Sequence, residues 1–172
     1  MKHTNYLITG APGVGKTTLI RKISTALADK NPTGFFTTEI RNQGIRDGFE
    51  LVSLKGKKKV LSHVRFKGPA KVGKYGVDVE GFDDFLNDAG FDDPSAQLYI
   101  IDEIGKMECF SDKFFSLLKK VLDSEKTVLA TIALKGSDVI EDIKKRPDVQ
   151  LFELTKSNRE ETADEILSLI GE

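Results

Sequence analysis

The chain has 172 residues, of which 39% are hydrophobic and 31% are charged. Its 26 basic and 27 acidic side chains leave a formal net charge of -1, so whole-protein charge provides no attraction to nucleic acid or to an anionic membrane. A chain of this length can bury about two thirds of the surface that its unfolded form exposes, and we expect one domain over residues 1–172.

The sequence gives no indication of export or of membrane insertion. The N-terminus leads into a short apolar stretch that stops at Gly10, which is too short for a signal peptide. The longest apolar runs, such as residues 128–134, fall far below the length that spans a bilayer. The single cysteine, Cys109, cannot form an intramolecular disulfide. We therefore expect a cytoplasmic protein without membrane contact. We also expect it to be a monomer.

Apolar strands alternate with amphipathic helices, a pattern typical of an α/β sheet covered by helices. The first strand is predicted at residues 6–8 and runs into a glycine-rich loop. Apolar residues then recur at helical spacing over residues 19–27, which predicts the first helix. Later strands are predicted at residues 98–101, 128–132 and 151–154, and later helices at about 111–123 and 158–170.

The segment from about 33 to 78 does not follow this alternation. Short β-prone pieces at residues 34–38, 48–52 and 60–61 are separated by turns rich in glycine and lysine. We interpret this segment as an antiparallel meander inserted into the α/β fold.

The meander is followed by a sharp change of charge. Residues 55–74 hold eight Lys or Arg and no acid, whereas residues 78–93 hold seven acids and no Lys or Arg. A solvated basic hairpin partly neutralised by a solvated acidic helix is favoured over a nucleic-acid site, because no aromatic residues interleave the basic run as a stacking platform.

The glycine-rich loop matches the Walker A motif, which binds nucleotide phosphates. It lies between a buried strand and a helix and reads Gly10, Ala11, Pro12, Gly13, Val14, Gly15, Lys16 and Thr17. Glycines let backbone N–H groups approach the phosphates, and the helix N-terminus adds partial positive charge. Lys16 is expected to reach the β- and γ-phosphates, Thr17 to ligate Mg²⁺, and Thr18 to contact the α-phosphate.

A second motif follows the strand at residues 98–101. Asp102 and Glu103 stand at its carboxyl end, which is the edge where open α/β sheets bind ligands. Asp102 is predicted to hold Mg²⁺ through water, as a Walker B aspartate. Glu103 is predicted to activate the attacking water as a general base. The plainer alternative for this pair is a helix N-cap.

Four segments around the Walker A loop resemble one known family. They are Thr37–Arg41, Val72–Tyr75, Asp102–Glu108 and Thr155–Arg159. In this order they are similar to the cancer-related nucleoside-triphosphatases, small enzymes also found in thermophilic microbes. The similarity extends over nearly the whole chain, and its most specific parts are Asp102–Glu108 and residues 34–54.

This resemblance implies a P-loop NTPase fold with a RecA-like, mostly parallel sheet and an added antiparallel element. It also implies Mg²⁺-dependent hydrolysis of ATP, GTP, CTP and UTP to the diphosphate and phosphate, with slow turnover and little base preference. Two departures are mild: Cys109 stands where the family usually has leucine, and Lys71 where arginine is common.

Three further residues are candidates for the nucleotide site. Arg146 precedes a predicted strand and is a candidate catalytic arginine that reaches the γ-phosphate; a solvated surface arginine is the alternative. Asn158 is a candidate helix N-cap or nucleotide contact, and Arg159 is a candidate to stack on the base.

Charged residues of the meander leave two interpretations open. Glu39, Arg41 and Arg46 either order the γ-phosphate side of the site or form a surface ion pair.

Other functional classes would use the same loop. A nucleotide or small-molecule kinase is the main alternative, but the sequence lacks an arginine-rich lid. A GTP switch would need a base motif ending in aspartate, whereas residues 155–158 end in Asn158. A nucleic-acid-stimulated ATPase would use the basic run at residues 55–74. Nucleoside triphosphates are thus the expected ligands, and nucleic acid is possible but not favoured.

Overall fold

The computed structural model describes residues 4–172. Residues 1–3, and with them the start of the N-terminus on which the expectation about export rests, lie outside the described residues. No helix within residues 4–172 is both long and apolar enough to cross a membrane.

Nine strands within residues 4–172 form one continuous sheet. The strands are β1 (Asn5–Thr9), β2 (Pro32–Asn42), β3 (Ile45–Ser53), β4 (Lys58–His63), β5 (Lys71–Val72), β6 (Tyr75–Val77), β7 (Leu98–Ile104), β8 (Thr127–Ile132) and β9 (Val149–Glu153). Their spatial order is β5-β6-β4-β3-β2-β7-β8-β1-β9. Neighbouring strands pair in parallel in the half made of β2, β7, β8, β1 and β9. In the other half, made of β2, β3, β4, β6 and β5, neighbouring strands pair antiparallel. The predicted parallel sheet with an antiparallel extension is confirmed.

Five α-helices cover the two faces of this sheet. They are α1 (Lys16–Ala26), α2 (Val79–Asn87), α3 (Asp112–Leu122), α4 (Asp138–Lys144) and α5 (Arg159–Gly171). Helices α1 and α5 bury their apolar residues, among them Ile20, Ile23 and Ile166, against one face. Helices α2, α3 and α4 cover the other face, where Phe35 of β2 meets Phe82 and Phe85 edge to face.

Helix α2 departs from the solvated acidic helix that the sequence predicts. Its acidic residues lie towards solvent, but Phe82, Phe85 and Leu86 are buried in the core. The basic hairpin does neutralise this region. Lys57 pairs with Asp88, and two further lysines pair with acids at 3.7 and 3.9 Å. The basic segment and the acidic segment therefore lie next to each other, and part of their charge is neutralised by these ion pairs.

The ends of the parallel strands define where a site can form. Because β2, β7, β8, β1 and β9 run in the same direction, their carboxyl ends meet at one edge of the sheet. The glycine-rich loop follows β1, and Asp102 and Glu103 lie at the end of β7. These motifs are separated along the chain by more than 80 residues, and the sheet brings them together.

Candidate active site

The glycine-rich loop connects β1 to α1 at the carboxyl edge of the sheet. Gly13 and Gly15 have φ angles of +76° and +106°, a region that side chains other than glycine rarely adopt. Helix α1 begins at Lys16, so its first backbone N–H groups have no partner within the helix. All predicted loop residues from Gly10 to Thr18 lie in this turn or the first turn of α1. The backbone is thus suited to phosphate oxygens.

Lys16 lies between the loop and the second motif. Its side chain is 13% exposed, and its Nζ donates to the Gly10 carbonyl at 2.6 Å. The same Nζ lies 4.0 Å from Glu103 Oε2. The structure therefore brings the Walker A lysine and the predicted general base to one point.

Asp102 is the buried centre of the site. Thr17 Oγ1 donates to its Oδ2 at 2.9 Å, and Thr131 Oγ1 donates to its Oδ1 at 2.7 Å. The Thr37 backbone N–H also donates to Oδ2, at 3.3 Å, and the Thr37 hydroxyl donates to the Asp102 carbonyl. Burial raises the pKa of Asp102, and these donors to the carboxylate oppose that rise.

Sequence reasoning missed Thr37 and Thr131. Thr131 is a hydroxyl inside the apolar run of β8, and Thr37 lies in the part of β2 that passes beside the end of β7. A polar residue near the carboxyl end of a buried strand was the available signal. It became interpretable only once β2 and β8 were known to flank β7.

Glu103 lies beside a tight turn that also carries a buried acid. A Cβ at Gly105 would lie 2.7 Å from Glu103 Oε1 and 3.1 Å from Glu108 Oε2, so only glycine fits here without rearrangement. Burial raises the pKa of Glu103, which Lys16 partly offsets. Burial and the charge of Glu103 raise the pKa of Glu108 well above its usual value. Glu103 is therefore a stronger base than a solvated glutamate.

The donors near Lys16 fit a magnesium ion that is held mainly by a nucleotide and water. Thr17 and Asp102 provide oxygen atoms, which Mg²⁺ prefers, and their side chains are already in contact. Within residues 4–172 no group of three or more His, Cys, Asp or Glu forms a metal site on its own. That donor set matches a metal bound by one or two protein oxygens and by phosphates.

Asn158 and Arg159 lie next to the loop, at the start of α5. Arg159 Nε donates to the Val14 carbonyl at 2.9 Å, so its guanidinium lies against the phosphate-binding loop. Asn158 occupies the N-cap position but its side chain makes no cap hydrogen bond. Instead, its amide bonds to the Glu153 carbonyl and the Thr155 N–H, which closes the turn after β9.

The charged residues of the meander form a cluster of their own. Arg41 Nε donates to Glu39 at 2.7 Å, and Arg46 Nη1 donates to Glu39 at 3.2 Å. Arg46 Nε also donates to the Tyr75 hydroxyl at 2.9 Å and lies over the Phe49 ring. Of the two interpretations left open by the sequence, the ion pair is present.

The structure does not bring Arg146 to the phosphate-binding loop, so that prediction is wrong. Arg146 precedes β9, whose first residue, Val149, pairs with Asn5 at the start of β1. The loop follows the other end of β1, about 13 Å farther along the strands at ~3.3 Å per residue. Arg146 is instead held by Asp148, at 2.7 and 2.9 Å, and by Asp123 at 2.7 Å.

Because of these contacts, Arg146→Ala is expected to act on stability. Removing the guanidinium leaves two carboxylates and the Leu122 carbonyl without this donor. We expect the free energy of unfolding to fall by about 1–3 kcal/mol, measured by urea denaturation, while turnover stays unchanged. Arg65→Ala, at an exposed position, is the matched control. A large loss of turnover with normal stability would contradict this prediction and indicate that Arg146 acts in the active site.

Comparisons with known proteins agree with this architecture. A family model described as NTPase matches residues 5–167. The nucleoside-triphosphatase THEP1 of Thermotoga sp. (strain RQ2) is 44% identical over 167 residues, covering 95% of this chain and 94% of that protein. The crystal structure of THEP1 from Aquifex aeolicus superposes with a TM-score of 0.84, at 37% identity and over 98% of this chain and 99% of that one. The solution structure of a human cancer-related nucleoside triphosphatase gives 0.82, at 35% identity and over 99% and 97%. The chain therefore belongs to the NTPase family that contains these nucleoside-triphosphatases.

Proposed function

We propose that this chain hydrolyses nucleoside triphosphates to the diphosphate and phosphate, with Mg²⁺, slow turnover and broad base specificity. The observation that supports this most directly is the meeting of Lys16, Thr17, Asp102 and Glu103 at one edge of the sheet. The names of the family relatives support the reaction class.

The chain's own groups account for binding of the triphosphate. The N–H groups of residues 13–17 surround the phosphates, and Lys16 provides a positive charge at the transferred group. Thr17 and Asp102 would hold the metal, Asp102 through water. When bound, Mg²⁺ neutralises charge that develops on the transferred phosphoryl group.

We assign to Glu103 the role of general base for the attacking water. Its side chain is 36% exposed, so a water molecule can reach it, and its carboxylate lies 4.0 Å from Nζ of Lys16, which we assign to the γ-phosphate. Burial raises its pKa, which favours acceptance of a proton. The attacking water gives a proton to Glu103 while the water oxygen forms a bond to the γ-phosphorus. The bond between the γ-phosphorus and the β-γ bridging oxygen breaks, and the nucleoside diphosphate leaves.

Base selectivity is expected to be within about tenfold across ATP, GTP, CTP and UTP, or ~1.4 kcal/mol. The groups that we assign to binding contact the triphosphate, which is identical in all four nucleotides, and stacking by Arg159 tolerates any ring. Strong rejection of a wrong base would need buried donors and acceptors that it leaves unpaired. Ratios of kcat/KM from competition assays measure the preference. A thousandfold preference for one base would contradict this prediction and favour the GTP switch or the kinase.

One experiment separates hydrolysis from the alternatives. Phosphate release from each of the four nucleotides is measured with and without Mg²⁺, with and without RNA or DNA, and with candidate acceptor hydroxyls. Hydrolysis predicts free phosphate that requires Mg²⁺ and is independent of nucleic acid and acceptor. Phosphate found on an acceptor would establish a kinase, and strong stimulation by nucleic acid would establish a coupled ATPase.

We also propose that the chain is one domain and a cytoplasmic monomer. The single continuous sheet within residues 4–172 supports one domain, and the lone cysteine suits a reducing compartment. Light scattering during size-exclusion chromatography tests the monomer, since a mass above 19.0 kDa would exclude it.

A further inference from the structure

A cleft outside the phosphate-binding loop is lined by residues that follow β7 and β8. Its volume is about 450 Å³, and it is lined by residues 71–73, by the turn after β7 and by the start of α4. Pockets of roughly 300–1,000 Å³ hold small organic ligands. None of its lining residues belongs to residues 10–18, and neither Asp102 nor Glu103 lines it. The cleft therefore adjoins the proposed nucleotide site, at the same edge of the sheet, but is lined by other residues.

Two lysines at this cleft lack acidic partners. Lys71 and Lys106 are exposed, and within residues 4–172 neither ammonium group has a carboxylate within ion-pair distance. Of the basic residues in 55–74, Lys55, Lys57 and Lys59 do pair with acids. The cleft thus presents two positive charges that the described part of the protein leaves unneutralised.

A hydroxyl group lies beside these charges. Ser137 lines the cleft at the N-cap position of α4, but its side chain makes no cap hydrogen bond. In the described chain no other group takes up this hydroxyl. It is therefore free to donate to a ligand oxygen.

The remainder of the lining is apolar. Ile140 is fully buried where it lines the cleft, while Phe110 is 42% exposed and can contact a ligand. The thiol of Cys109 also lines it, and burial raises the pKa of this thiol to about 11, so it is neutral at physiological pH. This wall suits an apolar part of a ligand.

We propose that this cleft binds an organic phosphate monoester, with its dianionic phosphate held by Lys71 and Lys106 and its apolar body against Phe110. A phosphate monoester carries close to two negative charges at neutral pH, which matches two lysines better than a single carboxylate does. The Ser137 hydroxyl adds one donor. An apolar body distinguishes this ligand from inorganic phosphate.

Phenyl phosphate is a suitable probe, because it combines a dianion with one ring. Its binding is measured by calorimetry on the full chain, with and without saturating Mg²⁺ and a non-hydrolysable ATP analogue. We expect binding that persists with the analogue and exceeds that of inorganic phosphate. The Lys71→Ala/Lys106→Ala variant should bind at least about tenfold more weakly, since it loses two charge-assisted contacts.

A double variant with the same charge loss is the control. Lys119→Ala/Lys120→Ala removes two exposed lysines of α3, outside the cleft, and should bind phenyl phosphate like the unaltered chain. Thermal melting shows whether each variant is folded. Equal loss of binding in both double variants would overturn the proposal, because it would reveal a general charge effect.

Cys109 locates the bound probe independently, because it is the only cysteine in the sequence. At alkaline pH, where more of the thiol is ionised, phenyl phosphate should slow alkylation of Cys109 by iodoacetamide severalfold, but not alkylation of glutathione in the same tube. Lys71→Ala/Lys106→Ala should abolish this protection. The proposal fails if phenyl phosphate is displaced by the ATP analogue, if inorganic phosphate binds equally well, or if only an oligonucleotide protects Cys109.

Discussion

Lys16→Ala is expected to abolish hydrolysis and to weaken triphosphate binding. Lys16 provides the mobile positive charge of the loop, and it lies where the Gly10 carbonyl and Glu103 approach each other. Residues 10–18 contain no other lysine or arginine, so no second cation of the loop can replace it. Turnover from phosphate release and affinity from nucleotide titration measure the two effects separately.

Lys22→Ala is the matched control for this variant. It removes the same charge from the same helix, at an exposed position where Lys22 pairs only with Glu160, at 2.8 Å. An exposed pair of this kind contributes little to stability, and turnover should be unchanged. Normal turnover in Lys16→Ala would refute the assignment of the loop.

Glu103→Gln is expected to keep Mg²⁺-nucleotide binding and to lose about two to four orders of magnitude in turnover, the range for a general base. Glutamine has nearly the same shape but cannot accept the proton of the attacking water. Single-turnover hydrolysis measures the chemical step directly, and equilibrium titration with a non-hydrolysable analogue measures binding.

The control for Glu103 is a second glutamate far from the site. Glu165→Gln changes the same group at an exposed position of α5 and should leave turnover unchanged. If Glu103→Gln instead loses nucleotide binding while the bound fraction reacts normally, Glu103 is a metal ligand or a structural residue. That result would move the general base elsewhere.

Much of the fold could be predicted because its local patterns are strong. Helices α1, α3 and α5 follow helical periodicity, and β1, β7 and β8 are apolar runs bounded by turns. The end of β9 was displaced: Leu154 lies beyond the strand, although its N–H still donates to the Thr9 carbonyl at 2.8 Å. Helix α4 was not predicted. It spans only seven residues, Asp138–Lys144, and buries two of them, Ile140 and Ile143.

The candidate site also has a part that the sequence predicts and a part that only the structure reveals. The glycine loop and the pair of acids after β7 are local signals, because glycine turns and strand ends follow from neighbouring residues. The threonines that donate to Asp102 are not local, since Thr37 and Thr131 lie 65 and 29 residues away along the chain. Their role depends on which strands flank β7.

Arg146 shows why a motif near a strand does not determine the edge of the sheet at which it lies. The sequence placed it before a strand, and in a parallel sheet that position is opposite to the phosphate-binding loop. The sequence by itself determined the α/β class, the loop and the acids that follow β7, because these depend on periodicity and on adjacent residues. Only the tertiary structure decided the strand order, the partners of Asp102 and the separation of Arg146 from the loop. Those features depend on contacts between distant segments, which packing of the whole sheet establishes.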